Sequence, residues 1–135
     1  MIISWKYNNT IVKKAPEGFV AFVYYLEFED GTKYIGKKNL LSVTRKKITG
    51  KARKVKVIKE SNWKSYLSSS EIVKRKLKEG ERLIKRDIIR WCKTATEATY
   101  WEAKLQFDNN VLCDPTYLNG LIYCKIMRCP NELDL

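Results

Sequence analysis

Two stretches of the chain have the residue pattern of β-strands joined by a tight turn. Residues 19–28, FVAFVYYLEF, are rich in aromatic and β-branched side chains, and the pattern resumes at residues 33–35 after an Asp-Gly pair at 30–31. Asp-Gly tolerates the positive φ angles that a tight turn requires. The pattern predicts an antiparallel hairpin in which Tyr24 and Tyr34 lie opposite or diagonal to one another.

A short helix and a third strand are predicted in the middle of the chain. The segment SSSE at residues 68–71 has the Ser-x-x-Glu form that begins a helix, and Gly80 ends it. Its apolar stripe consists of Ile72, Val73 and Leu77. Residues 82–91, RLIKRDIIRW, fit a strand better than a helix because apolar pairs lie between Gly80 and a Thr-rich cluster.

A second helix is predicted from Thr94, which has Glu97 three residues later, to about Asn109. The buried face of this helix consists of Ala98, Trp101 and Leu105. Glu102 falls on the same face, where a carboxylate is costly unless it is paired, hydrogen-bonded or bound to a metal. The ordinary alternative is a salt bridge to one of the many Lys and Arg residues.

The size and composition are those of one folded domain. With 135 residues, of which 44% are hydrophobic and 31% charged, the chain can bury a core. We predict a single domain, 1–135, of the α+β class: a small central antiparallel β-sheet of about three strands, including the N-terminal hairpin, flanked by helices. No secretory signal is visible and no apolar run approaches the roughly 18 residues of a membrane span, so we expect a cytoplasmic protein without a membrane partner.

The cysteines indicate neither a zinc site nor a disulfide framework. The chain has no histidine and no CxxC pair. Reduced thiols are therefore expected, because disulfides are scarce in the cytosol. The four residues are Cys92, Cys113, Cys124 and Cys129.

Positive charge is concentrated in one part of the chain. Lys and Arg number 27 against 15 Asp and Glu, and residues 31–59 hold eleven of the basic residues and no acidic one. This imbalance predicts a polyanionic partner, and we interpret residues 37–60 as an exposed basic loop or arm that contacts nucleic acid. The candidate DNA-binding residues are Lys37, Lys38, Lys46, Lys47, Lys51, Arg53, Lys54 and Lys64.

Several motifs follow one another in the order found in a known nuclease superfamily. Phe22-Val23-Tyr24 and Tyr34-Ile35-Gly36 resemble the two motifs of GIY-YIG nucleases, the first degenerate and the second intact. The blocks that follow are Lys37-Lys38, the basic stretch, Trp63-Lys64-Ser65-Tyr66, the helix with Glu102, and Tyr117-Leu118-Asn119. Together they cover residues 19–123 and most resemble the small phage homing endonucleases of the Seg type.

The resemblance implies a metal-dependent DNA endonuclease. It assigns Tyr24 and Tyr34 as a tyrosine pair, Arg45 as the basic residue, Tyr66 as the residue that follows it, Glu102 as the metal ligand and Asn119 as a late asparagine. Tyr25 remains an alternative to Tyr24, and Arg53 and Lys64 remain alternatives to Arg45. The cofactor would be one Mg²⁺ or Mn²⁺ ion per active site. The partner would be double-stranded DNA, bound by a monomer or by a dimer formed on DNA, in the host cytoplasm if a phage encodes the protein.

These residue types suit phosphodiester hydrolysis. The reaction needs a deprotonated water, neutralisation of the charge on the phosphoryl oxygens and a stabilised leaving group. A tyrosine of the pair could deprotonate the water if nearby Lys and Arg lowered the phenol pKa from its usual value of about 10. Two other functions stay open: a non-catalytic DNA-binding module of the same fold, and a basic protein that binds an acidic protein surface.

Overall fold

The computed structural model describes residues 2–50 and 52–128. Within these residues six strands precede the first helix, and a seventh strand lies between the two helices. Their bounds are β1 (Lys6–Tyr7), β2 (Thr10–Ile11), β3 (Ala21–Phe28), β4 (Lys33–Asn39), β5 (Leu41–Lys46), β6 (Val55–Glu60), α1 (Glu71–Lys78), β7 (Leu83–Cys92) and α2 (Ala95–Asp108). Both predicted helices, the predicted hairpin and the predicted third strand are present.

The main sheet is larger than the sequence indicates. It has five strands in the order β2-β1-β7-β3-β4, and it is mixed because β1 runs parallel to β7. The three predicted strands, β3, β4 and β7, are antiparallel as expected, but the prediction of about three strands misses β1, β2 and the parallel pairing of β1 with β7. The two added strands have two residues each, which is too short for a period-2 pattern. They form a hairpin around Asn8 and Asn9, which both have positive φ angles as a tight hairpin turn requires.

Each face of the sheet has its own apolar core and its own helix. Alternate residues of β3 point to opposite faces, so Phe22, Tyr24 and Leu26 pack with Val73 of α1. On the other face, Val23 packs with Ala98 and Trp101 of α2. The strand β4 is the edge strand, so one side of its backbone is open to segments outside the sheet.

The N-terminal cap of α2 is at its predicted position, whereas the cap of α1 is not. Thr94 caps α2 by accepting a hydrogen bond from the backbone N–H of Glu97. The cap of α1 is Ser70, which accepts from Val73 N–H, and not Ser68 at the start of the Ser-x-x-Glu pattern. Ser68 is instead drawn into the core, where it is 3% exposed. Ile72, assigned to the apolar stripe of α1, is 39% exposed.

The basic segment, predicted as an exposed loop or arm, is an ordered hairpin. The strands β5 and β6 pair with each other over six residues and form a separate two-stranded sheet. We call residues 41–60 the basic ribbon. Apolar and polar residues alternate only over the short stretches 41–44 and 55–57, and the many Lys and Arg residues around them obscure this strand pattern. Hydrogen bonds from Ser61 to the backbone oxygens of Asn39 and Leu40 close its base.

Two further observations concern the cysteines and the length of the helices. Cys92, Cys113 and Cys124 are free thiols, and Cys129 lies outside the described residues. Burial raises the pKa of the Cys92 thiol to about 12. Over residues 2–50 and 52–128, no helix is both long and apolar enough to cross a membrane.

Candidate active site

A cluster of phenols forms where the two motif strands pair. In the register of β3 and β4, Tyr24 lies opposite Gly36 and Tyr34 lies opposite Leu26, so the two tyrosines are diagonal neighbours on one face. Their ring centroids are 6.1 Å apart, and the ring of Tyr66 lies 6.2 Å from that of Tyr24. The expected proximity of Tyr24 and Tyr34 is confirmed.

The alternative tyrosine of the first motif lies on the other face of the sheet. Tyr25 packs with the core under α2 and donates a 2.5 Å hydrogen bond to Glu27. It therefore cannot join the cluster around Tyr34 without a change of strand register. Of the two candidates, Tyr24 is the one that lies beside Tyr34.

Gly36 is the residue that lets the two rings approach the backbone of β4. A Cβ at this position would lie 2.6 Å from the Tyr24 hydroxyl and 2.8 Å from a ring carbon of Tyr34. Both distances are shorter than any ordinary carbon contact. The glycine of the Tyr-Ile-Gly motif is thus required by the packing of the tyrosine pair, since its φ angle is ordinary.

The surroundings of the pair raise the pKa of both phenols, whereas a phenol that deprotonates water would need a lowered pKa. Tyr24 is fully buried and donates a 3.3 Å hydrogen bond to the Ser68 hydroxyl. Burial, with the neighbouring Tyr66 as a lesser cause, raises the pKa of Tyr24 far above its usual value. Burial and the charge of Glu102 also raise the pKa of Tyr34. The condition that nearby Lys and Arg lower a phenol pKa is not met here, because the phenols face apolar rings and a carboxylate.

Tyr34 and Glu102 border one cleft at the open edge of β4. The cleft has a volume of about 400 Å³ and also contacts the start of α1 and the segment that begins at Leu118. Tyr34 and α2 belong to opposite faces of the sheet, so Glu102 meets the phenol past the edge strand. The full lining consists of Tyr34, Ser69, Ser70, Glu71, Ile72, Glu102, Gln106, Leu118, Asn119, Gly120, Leu121 and Tyr123.

Glu102 keeps its carboxylate available to the cleft. Burial raises its pKa, and the charge and backbone N–H of Lys37 oppose that rise. The ammonium of Lys37 donates its 2.6 Å hydrogen bond to Thr99, one turn earlier on α2. Among the residues that the structure describes, the ion pairs shorter than 4.0 Å do not include Glu102. Within the described residues, Glu102 therefore does not form the salt bridge to Lys or Arg that was the ordinary alternative.

Asn119 continues the hydrogen-bond ladder of the sheet at the edge of β4. Its side-chain oxygen accepts from the Ile35 N–H at 3.2 Å, and its amide nitrogen donates to the Ile35 carbonyl at 2.8 Å. Gln106 donates to the same carbonyl at 3.0 Å. The parallel bridge between Lys33 and Tyr117 holds the preceding residues in place. Asn119 thus reaches the cleft, but both ends of its amide hold the backbone.

The candidate basic residues lie outside the cleft. Arg45 and Arg53 are exposed on the basic ribbon, and Lys64 has a 60% exposed side chain that pairs with Glu60. Lys37 and Lys38 on β4 lie close to the site, since Lys37 affects the pKa of Glu102 and the Lys38 ammonium is 4.2 Å from the Tyr66 ring centroid. Burial lowers the pKa of Lys38. Three further candidates, Lys46, Lys47 and Lys54, are exposed on the ribbon, whereas Lys51 lies outside the described residues.

Two supporting residues were not predicted from the sequence. Arg86 is 4% exposed and donates to the carbonyls of Ile3, Lys64 and Tyr66, so it fixes the segment that places Tyr66 beside Tyr24. Ser68 accepts hydrogen bonds from both Tyr24 and the Ser70 N–H. Neither has a distinct signal in the sequence, because Arg86 is one of four charged residues in β7 and Ser68 is one of three consecutive serines.

A mixed sheet with a tyrosine pair beside an intact Tyr-Ile-Gly motif, and a glutamate across the sheet edge, defines a domain of the GIY-YIG type. One family model, described as "Putative endonuclease segE, GIY-YIG domain", matches residues 5–122. The chain belongs to this family, which is a family of endonuclease domains related to the Seg-type phage enzymes. No curated protein and no solved structure matches the chain.

Proposed function

We propose that this protein is a divalent-metal-dependent endonuclease that hydrolyses phosphodiester bonds of double-stranded DNA in the cleft bordered by Tyr34 and Glu102. The observation that carries the proposal is the meeting of these two residues, which come from opposite faces of the sheet, in one cleft. Family membership supports nuclease chemistry, and the net charge of +12 supports a polyanionic substrate.

The donor groups in the cleft fit one Mg²⁺ or Mn²⁺ ion. Mg²⁺ usually takes one or two carboxylates and keeps several waters, so a lone half-buried carboxylate such as Glu102 is sufficient. The buried side-chain oxygen of Gln106, one turn further along α2, has no hydrogen-bond partner among the described residues and is a second hard donor. A bound ion would withdraw charge from the scissile phosphate and the leaving oxygen.

Tyr34 is the phenol that can contact substrate. It lines the cleft, whereas Tyr24 is fully buried behind it. The raised pKa keeps the Tyr34 phenol protonated at neutral pH, so it positions the attacking water through hydrogen bonds and does not act as a phenolate. Tyr24, held by Ser68, fixes the ring of Tyr34 from the side.

The positive charge nearest the reacting phosphate comes from β4. Lys37 lies close enough to Glu102 to affect its pKa, and its ammonium is held by Thr99. We assign charge neutralisation at the phosphate to Lys37, and contact with flanking DNA to the ribbon residues, including Arg45. The alternative role of Arg45 in the cleft predicts that R45Q lowers the single-turnover cleavage rate more than K37Q.

The test is cleavage of supercoiled plasmid DNA with Mg²⁺ or Mn²⁺. E102Q should lose at least about 100-fold in cleavage rate, because an interaction with the developing charge is removed. D108N changes the C-terminal residue of the same helix, which does not line the cleft, and should cut like the wild type. DNA binding in EDTA should be unchanged or tighter in E102Q, because one negative charge is removed from the site. Equal cutting by E102Q and the wild type would refute the proposal.

A second function is favoured by one observation. Phe22 and Val23 replace the first two residues of the first motif, and both are fully buried. Phe22 packs edge-on against Trp5, Trp63 and Trp91, so this part of the motif belongs to the hydrophobic core. A non-catalytic DNA-binding module of the same fold would bind DNA with a steep salt dependence but leave the plasmid intact with either metal.

A further inference from the structure

The basic ribbon has a feature that contact with phosphates does not explain. Cross-strand partners share a face, so Leu41, Val43 and Arg45 of β5 lie on the same side as Glu60, Ile58 and Lys56 of β6. On this side Leu41, Val43 and Ile58 are 39%, 53% and 56% exposed. A two-stranded hairpin is only marginally stable by itself, so an exposed apolar row on it is costly unless it contacts a partner.

The charges of the ribbon define the chemistry of that partner. The ribbon contains eight Lys and Arg residues and one acidic residue, Glu60 at its base. Arg45 and Lys56 lie directly opposite each other in the ribbon, and like charges at such a position destabilise a strand pair. An anionic partner removes this repulsion, whereas a second copy of the same ribbon would increase it.

The dimensions of the ribbon fit one groove of DNA. Six-residue strands are about 20 Å long, and two backbones about 4.8 Å apart enter the major groove, which is about 12 Å wide, but not the minor groove, about 6 Å wide. In the major groove, apolar side chains contact thymine methyl groups and Arg or Lys bonds to guanine acceptors. The exposed face of the ribbon carries both types of side chain.

We propose that the β5–β6 ribbon inserts into the major groove of double-stranded DNA, with Val43 and Ile58 against thymine methyls, Arg45 and Lys56 on base edges, and the basic tip on phosphates. The ribbon continues from β4, the strand that borders the cleft, with only Leu40 between the two strands. The ribbon is therefore the element that positions the duplex relative to the cleft. The inference rests on the proposed DNA substrate but not on cleavage.

The test is fluorescence anisotropy of duplex DNA with the full chain in EDTA, over a series of KCl concentrations. The double variant V43T/I58T keeps β-branched residues and should weaken binding about tenfold. I84T is the matched control, because Ile84 is 50% exposed on a strand of the main sheet, and it should bind like the wild type. Replacing thymine by uracil should weaken wild-type binding but not binding by V43T/I58T.

Charge variants separate base contacts from phosphate contacts. R45Q should lose the wild-type preference for guanine over 7-deazaguanine, whereas K54Q at the tip should weaken binding to all sequences and lower the salt slope by about 1. K78Q on α1 is the control for a general loss of charge. Methyl green, which occupies the major groove, should compete with the protein, and distamycin, which occupies the minor groove, should not.

Three results would overturn the inference. The first is that V43T/I58T binds DNA like the wild type, and the second is that distamycin competes with the protein but methyl green does not. The third is that sedimentation equilibrium shows a dimer for the wild type and a monomer for V43T/I58T. The outcome is independent of catalysis. A ribbon that binds as expected on a protein that never cuts leaves the inference standing and refutes the nuclease. If the protein cuts DNA and its ribbon variants bind DNA like the wild type, the inference about the ribbon is refuted and the nuclease proposal stands.

Discussion

The substitution G36A tests the packing of the tyrosine pair most directly. In an unstrained strand, alanine is more stable than glycine by about 0.5–1 kcal/mol, because glycine loses more backbone entropy on folding. Here the new Cβ would lie 2.6 Å from the Tyr24 hydroxyl, 2.7 Å from the ring carbon that bears it and 2.8 Å from a Tyr34 ring carbon. Overpacking of this kind costs about 1–3 kcal/mol. The clash therefore outweighs the entropic gain.

We expect a net loss of about 1–2 kcal/mol in the free energy of unfolding of G36A. The loss cannot be relieved by a small movement of Tyr24, because its ring packs edge-on against Trp5, Phe22 and Tyr66. The measurement is equilibrium urea unfolding followed by tryptophan fluorescence, with a constant m-value. Since both phenols must shift, G36A should also cut plasmid DNA more slowly than its stability loss alone would explain.

G120A is the control, because no heavy atom lies within 4 Å of a Cβ at Gly120. It should have the stability of the wild type or slightly more. Adding Y24F to G36A removes the 2.6 Å contact but leaves the two ring contacts, so it should restore part of the loss. If G36A is as stable as G120A, the close approach of the rings to β4 is not a constraint and the explanation of the motif glycine is wrong.

Three further predictions concern the edge of the sheet and its supports. N119A should destabilise the fold by about 1–3 kcal/mol in urea unfolding, because the buried Ile35 N–H loses its acceptor; a stable N119A would contradict this role. R86M, whose parent side chain holds three carbonyls, should cost about 3 kcal/mol or more, and thermal unfolding that matches the wild type would count against it. The raised pKa of Glu102 means that the folded protein binds its proton more tightly than the unfolded chain, so the unfolding free energy of the wild type relative to E102Q should rise as pH falls from neutral toward the ordinary pKa of a glutamate. Cleavage by the wild type should decline over the same pH range. If the unfolding free energies of the wild type and E102Q change with pH in parallel, the pKa of Glu102 is not raised in the folded protein.

The local elements could be predicted because their signals lie within the sequence. Aromatic and β-branched runs predict β3 and β4, and Thr94 with Glu97 predicts the start of α2. The ribbon was missed as a strand pair, since its outward residues are charged or exposed and bury no face. The cap of α1 was misplaced by two residues because Ser68 is recruited by Tyr24, a contact between distant parts of the chain.

By itself, the sequence determined the local folding pattern, the concentration of positive charge and the family, since each depends on residues that are close together or on composition. Only the tertiary structure decided which groups form the site. The position of β4 at the sheet edge brings Glu102 to Tyr34 from the opposite face and leaves Arg45 outside the cleft. The tertiary structure also decided that the pKa of each phenol is raised, because a pKa depends on how deeply a group is buried and on which charges face it.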